Sequence, residues 1–234
     1  MRMLRIVGFA LIGLCLWGRS FAGDFEDGLQ AYTNAEYAKA REAFEKAADK
    51  GDSRAQFQLG LIYFNGHGVL QNFNEARSWY EKAAQGGEEM AAYNLGLMYT
   101  NGQGVPKDYA KAASWYAKAA DRGDLRAQYN LGLMYSNGWG VEHDDEKAAE
   151  LYRKSAEQGY ASAQLNLGVM YAKGQSVKRN VIEAYKWFDI AAWQGEPQAA
   201  KNRDALARLM PPASVDQAKH LADAWIDAHQ PSKQ

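Results

Sequence analysis

Between Arg126 and Tyr135 the apolar side chains Ala127, Leu131, Met134 and Tyr135 are spaced by four, three and one, which traces a single stripe along an amphipathic helix. Asn137-Gly138 ends that helix, because glycine takes the left-handed backbone past a helix terminus without a steric penalty. A second stripe, Ala112, Trp115, Tyr116, Ala119 and Ala120, predicts another helix, and Ala76, Trp79, Tyr80, Ala83 and Ala84 repeat it thirty-six residues earlier. The pattern is therefore helix A, a short turn, helix B and a glycine, written several times over. Leu59-Gly60, Leu95-Gly96, Leu131-Gly132 and Leu167-Gly168 hold the thirty-six-residue register without insertion. Tyr63, Tyr99, Tyr135 and Tyr171 keep it too, as do the turn glycines Gly66, Gly102, Gly138 and Gly174. A unit of this length cannot bury its own apolar face and must stack on its neighbours, so the period predicts an array and not a closed catalytic globule.

The register divides the chain. Residues 51–195 hold four helix pairs, 23–50 a helical lead-in whose Tyr37, Ala40, Phe44, Ala47 and Ala48 match helix B, and 196–234 a partial repeat with a capping helix. Pro197 falls at a helix start, where its missing N–H costs nothing. After Pro211-Pro212, Ser214 and Gln217 form an S-x-x-Q arrangement that predicts a helix start. The helix that follows is expected to bury Val215, Ala218, Leu221, Ala222 and Trp225 across the last repeat.

Residues 1–22 fall outside the array. Arg2 and Arg5, the apolar run Ile6 to Trp17 and Ser20-Phe21-Ala22 read as a secretory signal cleaved after Ala22, which implies a periplasmic or secreted protein. Twelve apolar residues fall short of the roughly twenty that a spanning helix needs, so no transmembrane segment is expected once the signal is removed. The only cysteine, Cys15, leaves with the signal, and helix packing must supply stability without disulfides. Loss of Arg2, Arg5 and Arg19 leaves 24 cationic side chains against 28 acidic ones, a net charge of -4. That balance argues against nucleic acid as a partner.

Catalytic chemistry finds little support. His67, His143, His220 and His229 are scattered, no H-E-x-x-H occurs, and no cofactor or metal is expected. His67 occupies a loop position filled elsewhere by Gln103, Trp139 and Gln175, a variability that reads as surface. No phosphate-cradling glycine motif is present, and the acidic run Glu142 to Glu146 reads as helix-start charge.

The pattern A-x-x-x-L-G-x-x-Y-x-x-G-x-G-V, at Ala55 to Val69, Ala91 to Val105 and Ala127 to Val141, followed by A-x-x-W-Y-x-K-A-A, closely resembles the Sel-one-like repeat (SLR) family, relatives of the tetratricopeptide repeat. Ser176 for the second loop glycine and Leu151 for tryptophan are local departures. The resemblance implies an all-α chain, a right-handed α/α superhelix (solenoid) of helix-turn-helix repeats. It also implies a role in assembling or regulating protein complexes in the bacterial envelope, with helix A lining a concave side.

On that side the positions that the repeat core does not need are Arg54, Phe57 and Leu61, then Met90, Tyr93 and Leu97, then Arg126, Tyr129 and Leu133, extended by Leu165 and Val169. They are expected to form a groove for a peptide or protein of unknown identity, on a monomer. The competing reading is that Phe57 and Tyr93 simply pack between repeats. Asn94, Asn130 and Asn166 read as structural hydrogen-bonding groups. Some cysteine-rich members of the resembled family have been described as penicillin-binding or β-lactamase proteins, which makes a cell-wall hydrolase the alternative. The S-x-x-K that such a serine mechanism wants is missing at Ser53, Ser78, Ser114, Ser155, Ser162 and Ser214.

Overall fold

A computed structural model describes residues 23–229, and within them every regular element is a helix. The signal sequence read at 1–22, with its cleavage point, lies outside the described residues. The chain divides into two compact units at Lys107 and Asp108. The first holds α1 (23–33), α2 (Tyr37–Asp49), α3 (Ser53–Asn65), α4 (Phe73–Gln85) and α5 (Glu89–Asn101). The second holds α6 (Tyr109–Ala120), α7 (Leu125–Asn137), α8 (Asp145–Glu157), α9 (Ala161–Lys173), α10 (Val181–Trp193), α11 (Pro197–Ala207) and α12 (Pro212–His229).

In the first unit α2, α3, α4 and α5 each pack on the next, and Phe44, Ala47, Leu59 and Ile62 form a core closed by Phe25 of α1. In the second, α6 to α10 pack in the same succession, with Tyr152, Leu167, Trp187 and Ile190 at the centre. Polar residues set the helix ends. Asp52, Asn72, Asp108, Asp124, Asp144 and Asn180 each accept hydrogen bonds from the first free N–H groups of the helix they precede. Tyr160 offers α9 no such cap and instead packs edge-on against Tyr129, ring centroids 5.1 Å apart.

In three of the four Leu-Gly pairs the glycine has a visible steric purpose. A Cβ on Gly132 would sit 2.8 Å from the ring of Tyr152, and one on Gly168 would sit 2.7 Å from that of Phe188. Gly60 stands in the same relation to Tyr80. In each case an aromatic ring twenty positions on, in helix B of the same repeat, lies flat on bare helix A backbone. Gly28 of α1 seats Phe44 of α2 in the same manner, so the lead-in is itself a helix pair.

Buried glutamines tie successive helices together. Gln164 Nε2 donates to the Ala156 carbonyl at 3.1 Å, and its Oε1 accepts from Gln194 Nε2 at 2.7 Å. Gln128 accepts from Gln158 in the same way at 2.8 Å. One side chain of α9 thus joins α8 to the end of α10, satisfying both ends of an amide in a dry place.

The loop position read as variable surface is a clasp. His67 stacks on Tyr37 at 5.0 Å and bonds Tyr32 Oη through Nδ1 at 2.6 Å. Trp139 stacks on Tyr109 at 5.9 Å, and Gln175 donates to Asp145 Oδ2 at 2.9 Å. The residue changes along the array, yet in these three repeats it grips the first residue of the preceding helix B.

The fourth repeat departs at Ser176, whose φ of 51° is left-handed, where Gly68 and Gly104 hold φ of 70° and 69°. A non-glycine residue there carries strain of about 1 kcal/mol. Ser176→Gly is expected to raise the unfolding free energy by about 0.5–1 kcal/mol, the remainder being offset by the extra freedom of glycine in the unfolded chain. Urea titration checks this, and an unchanged or lower midpoint would show that the serine is unstrained.

The cap helix differs from expectation in two respects. It begins at Pro212, with Ser214 N–H donating to the Pro211 carbonyl inside its first turn, so the serine is not the N-cap. Proline's fixed φ starts the helix in its place. Its buried face is Ala218, Ala222 and Ile226, with Val215 and Trp225 half-buried, while Leu221 points outward at 39 % exposure. α12 packs on α10, as a terminal cover should.

Candidate partner-binding surface

The stripe of helix A residues splits according to what each side chain touches. In the first unit Phe57 is buried against Tyr80, ring centroids 5.8 Å apart, which fits the packing alternative for that residue. Arg54 is exposed but committed: its guanidinium bonds Asp52 at 2.7 Å and lies 4.1 Å over the Phe25 ring. Burial alone would raise the Asp52 carboxyl, yet Arg54 and the backbone N–H groups of Arg54 and Ala55 hold it below the usual carboxylate range. Leu61, Tyr93 and Leu97 are half-buried, and Met90 is exposed.

In the second unit Arg126 repeats the arrangement on Asp124 at 2.7 Å. Tyr129 leans on Tyr152 and Tyr160, and Leu133 rests on the α8–α9 core with part of its surface free. Leu165 and Val169 are half-buried on α9. The two arginines therefore steady helix starts, and the aliphatic residues are the available part of the stripe.

Val169 opens into a groove. Together with Ala172 and Lys173 of α9, Phe188 of α10, and Ala205, Leu206 and Leu209 on and just beyond α11, it lines an open trough of about 300 Å³. Lys173 and Asn202 are the polar members of an otherwise apolar lining, and Leu209 is 83 % exposed. The pattern did not point to the α11 side of this trough, because the repeat consensus fades after Pro197. The one available signal was Leu209, an aliphatic residue left exposed beside Leu206, which itself packs on the Tyr185, Met210 and Ala218 core.

Polar groups around these residues are structural. Asn166 bonds toward Tyr129 and Tyr152, in keeping with a hydrogen-bonding role, though its partners are tyrosines and not a loop. Burial, with smaller help from the neighbouring Tyr129, pushes the Tyr152 phenol up to about 12 against the opposing bonds from Asn166 and Ser136. A phenol raised in the folded state contributes stability that is full below pH 10 and lost as pH climbs through the folded value. Stability should thus fall by about 2 kcal/mol between pH 10 and 12 on this account alone. Tyr152→Phe should flatten that part of the pH profile in denaturant titrations; a slope identical to the parent protein would rule the tyrosine out. Among the described residues no cluster of His, Cys, Asp and Glu could hold a metal ion, and no helix is long and apolar enough to cross a membrane.

Comparison with known proteins matches the geometry. The Sel1 repeat profile fits five times, over residues 25–52, 53–88, 89–124, 125–160 and 161–196. The first of these covers the lead-in, as the Gly28–Phe44 contact requires. A solved Sel1 repeat protein from Oxalobacter formigenes superposes with a TM-score of 0.70 at 34 % identity, over 89 % of this chain and 86 % of that one. A protective antigen of uropathogenic Escherichia coli with an SLR fold gives 0.78 at 34 % identity, over 88 % of this chain but 45 % of its own length. HcpC of Helicobacter pylori, a candidate β-lactamase by name, is 33 % identical over 66 residues, 26 % of this chain and 23 % of its own. The chain thus spans less than a quarter of that curated relative. With five matched repeats and paired helices of about thirty-six residues throughout, the chain belongs to the Sel1 repeat (SLR) family and has its solenoid fold.

Proposed function

We propose that this protein is a non-catalytic interaction scaffold or regulator of the bacterial periplasm or exterior, and that it receives an apolar segment of a partner protein on the helix A side of its second unit. The observation that carries this is the trough between α9 and α11, where Val169 and Leu206 keep part of their surface free and Leu209 lies almost fully in water. A helix or extended segment could lay two or three side chains between Val169, Leu206 and Leu209, with Leu133 and Leu165 as further aliphatic contacts on α7 and α9.

The hydrolase alternative has less support. Its relatives match over about a quarter of the chain, and no serine is followed by lysine at the spacing that the usual mechanism needs. A photo-crosslinking residue placed at Val169 or Leu206 in living cells should capture one discrete protein, whereas the same residue at exposed Lys154 should not. Leu206→Glu should lower capture from position 169, and Val169→Glu capture from position 206, at least tenfold, about 1.4 kcal/mol or more, with far-ultraviolet circular dichroism unchanged. Equal capture from Lys154 and the trough would reject the surface, and turnover of a chromogenic cephalosporin by the pure protein would reject the non-catalytic reading.

A further inference from the structure

A second concavity lies on the opposite flank of α9. It is a cleft of about 620 Å³ lined by Arg153 of α8, Tyr171 of α9, Lys178 and Arg179 of the following loop, and Asn180 and Glu183 at the start of α10. Three cationic side chains from two separate elements face one space, in a protein whose overall charge is negative without its first 22 residues. Arg153 donates to Tyr171 Oη at 3.1 Å, and Arg179 Nε donates to the Ala172 carbonyl at 3.2 Å. Neither interaction neutralises charge. The one carboxylate of the lining, on Glu183, is engaged by Lys186 at 3.1 Å.

The repeat does not require these cations. Thirty-six-residue steps from Arg153 reach Glu81, Ala117 and Asp189, and the places of Lys178-Arg179 are taken elsewhere by Leu70-Gln71, Pro106-Lys107 and Glu142-His143. The scaffold is indifferent to charge at these positions, and only here do adjacent elements both supply it.

We infer that this cleft is a receptor for clustered carboxylates, namely an acidic segment of a partner protein. The volume is many times that of a single anion, and the cations stand on separate supports, which suits charges spread along a chain. The Asn180 side chain is occupied in capping α10 and Glu183 is held by Lys186, so the cations are what the cleft offers an incoming segment. Arg153 and Arg179 offer planar forks suited to carboxylates. The inference extends the scaffold reading to a second surface and does not depend on the apolar trough.

The test uses the purified protein and a fluorescein-labelled hexaglutamate peptide, read by anisotropy at low salt. Saturable binding is expected, with hexaglutamine inert. Lys178→Gln with Arg179→Gln should weaken it at least tenfold, and Arg153→Gln, on a different helix, should weaken it as well. Lys39→Ala with Lys46→Ala, which removes two exposed cations of α2, should leave it unchanged, and Val169→Glu with Leu206→Glu should leave the Lys178 and Arg179 dependence intact. Non-saturable binding, or an equal loss in the α2 variant, would reduce the effect to general electrostatics and overturn the inference. So would tighter, Lys178-dependent binding of inorganic phosphate or of phosphatidylglycerol vesicles that hexaglutamate fails to displace.

Discussion

Gly140→Ala should destabilise the protein by about 3 kcal/mol or more, a larger loss than most single substitutions cause. Two costs add at this position. The backbone is left-handed, with φ of 70°, which charges any L side chain about 1–2 kcal/mol. The new methyl group would also press into the backbone of Tyr109 and Ala110 at the start of α6, and backbone cannot rotate aside as a side chain can. Gly123 separates the two costs, because it holds φ of 98° with nothing within 4 Å. Gly123→Ala should therefore lose only the conformational part, roughly 1–2 kcal/mol. Urea titration of both variants beside the parent measures the difference, and tryptophan emission adds a local signal, since Trp139 next to Gly140 should leave its stack on Tyr109. Equal losses in the two variants would mean that the close approach to α6 does not contribute.

The comparison between Gly140 and Ser176 shows what a single sequence discloses. Period thirty-six makes both positions visible as one place in the repeat, a short turn after helix A. What lies against the turn did not follow, because periodicity reports which positions are restricted and not which neighbour restricts them. The Leu-Gly pairs are the same case: their register was plain, but the aromatic ring seated on the glycine in three of them belongs to another helix. His67 was read as surface because its position varies. In fact the partner varies with it, from Tyr37 to Tyr109 to Asp145, and that pairing shows only once the helices are side by side.

The candidate surface was less legible than the fold for a related reason. Helix faces can be counted from spacing, which puts Leu133, Leu165 and Val169 on the helix A stripe. Whether a residue on that face is free depends on its cross-helix neighbours. Phe57 is covered by Tyr80 and Arg54 is held by Asp52, and neither fact is written in the stripe. Leu206 and Leu209 stood beyond the consensus, where no period remained to separate core from surface. The glutamine at the position of Gln164 recurs in the register as Gln56 and Gln128, but its link to Gln194 needs two repeats to be stacked.

Trp187→Ala should cost about 3–5 kcal/mol and should act through the end of the array. Trp187 is 4 % exposed on α10, the helix on which α11 and α12 both pack. Its ring meets Trp225 of α12 at 6.1 Å in an edge-on arrangement, and Ala222 and Ile226 close the same core. Removing the indole opens a cavity between the last full repeat and its cover, and the cover has few other holds. A second patch, Met210 and Ala218 against Tyr185, fixes the start of α12, whereas its far half is held through Ala222, Trp225 and Ile226 in the core that Trp187 shares. The loss should therefore appear first as release of the C-terminal part of α12, before the second unit as a whole unfolds. Hydrogen exchange resolved by mass spectrometry distinguishes the two: protection over 219–229 should fall under native conditions while α8 and α9 stay protected. Ile226→Ala, at the far side of the same contact, should reproduce the local loss at a smaller cost of about 2 kcal/mol. If instead α8, α9 and α12 lose protection together in Trp187→Ala, the cap is not a separable element but part of one cooperative core.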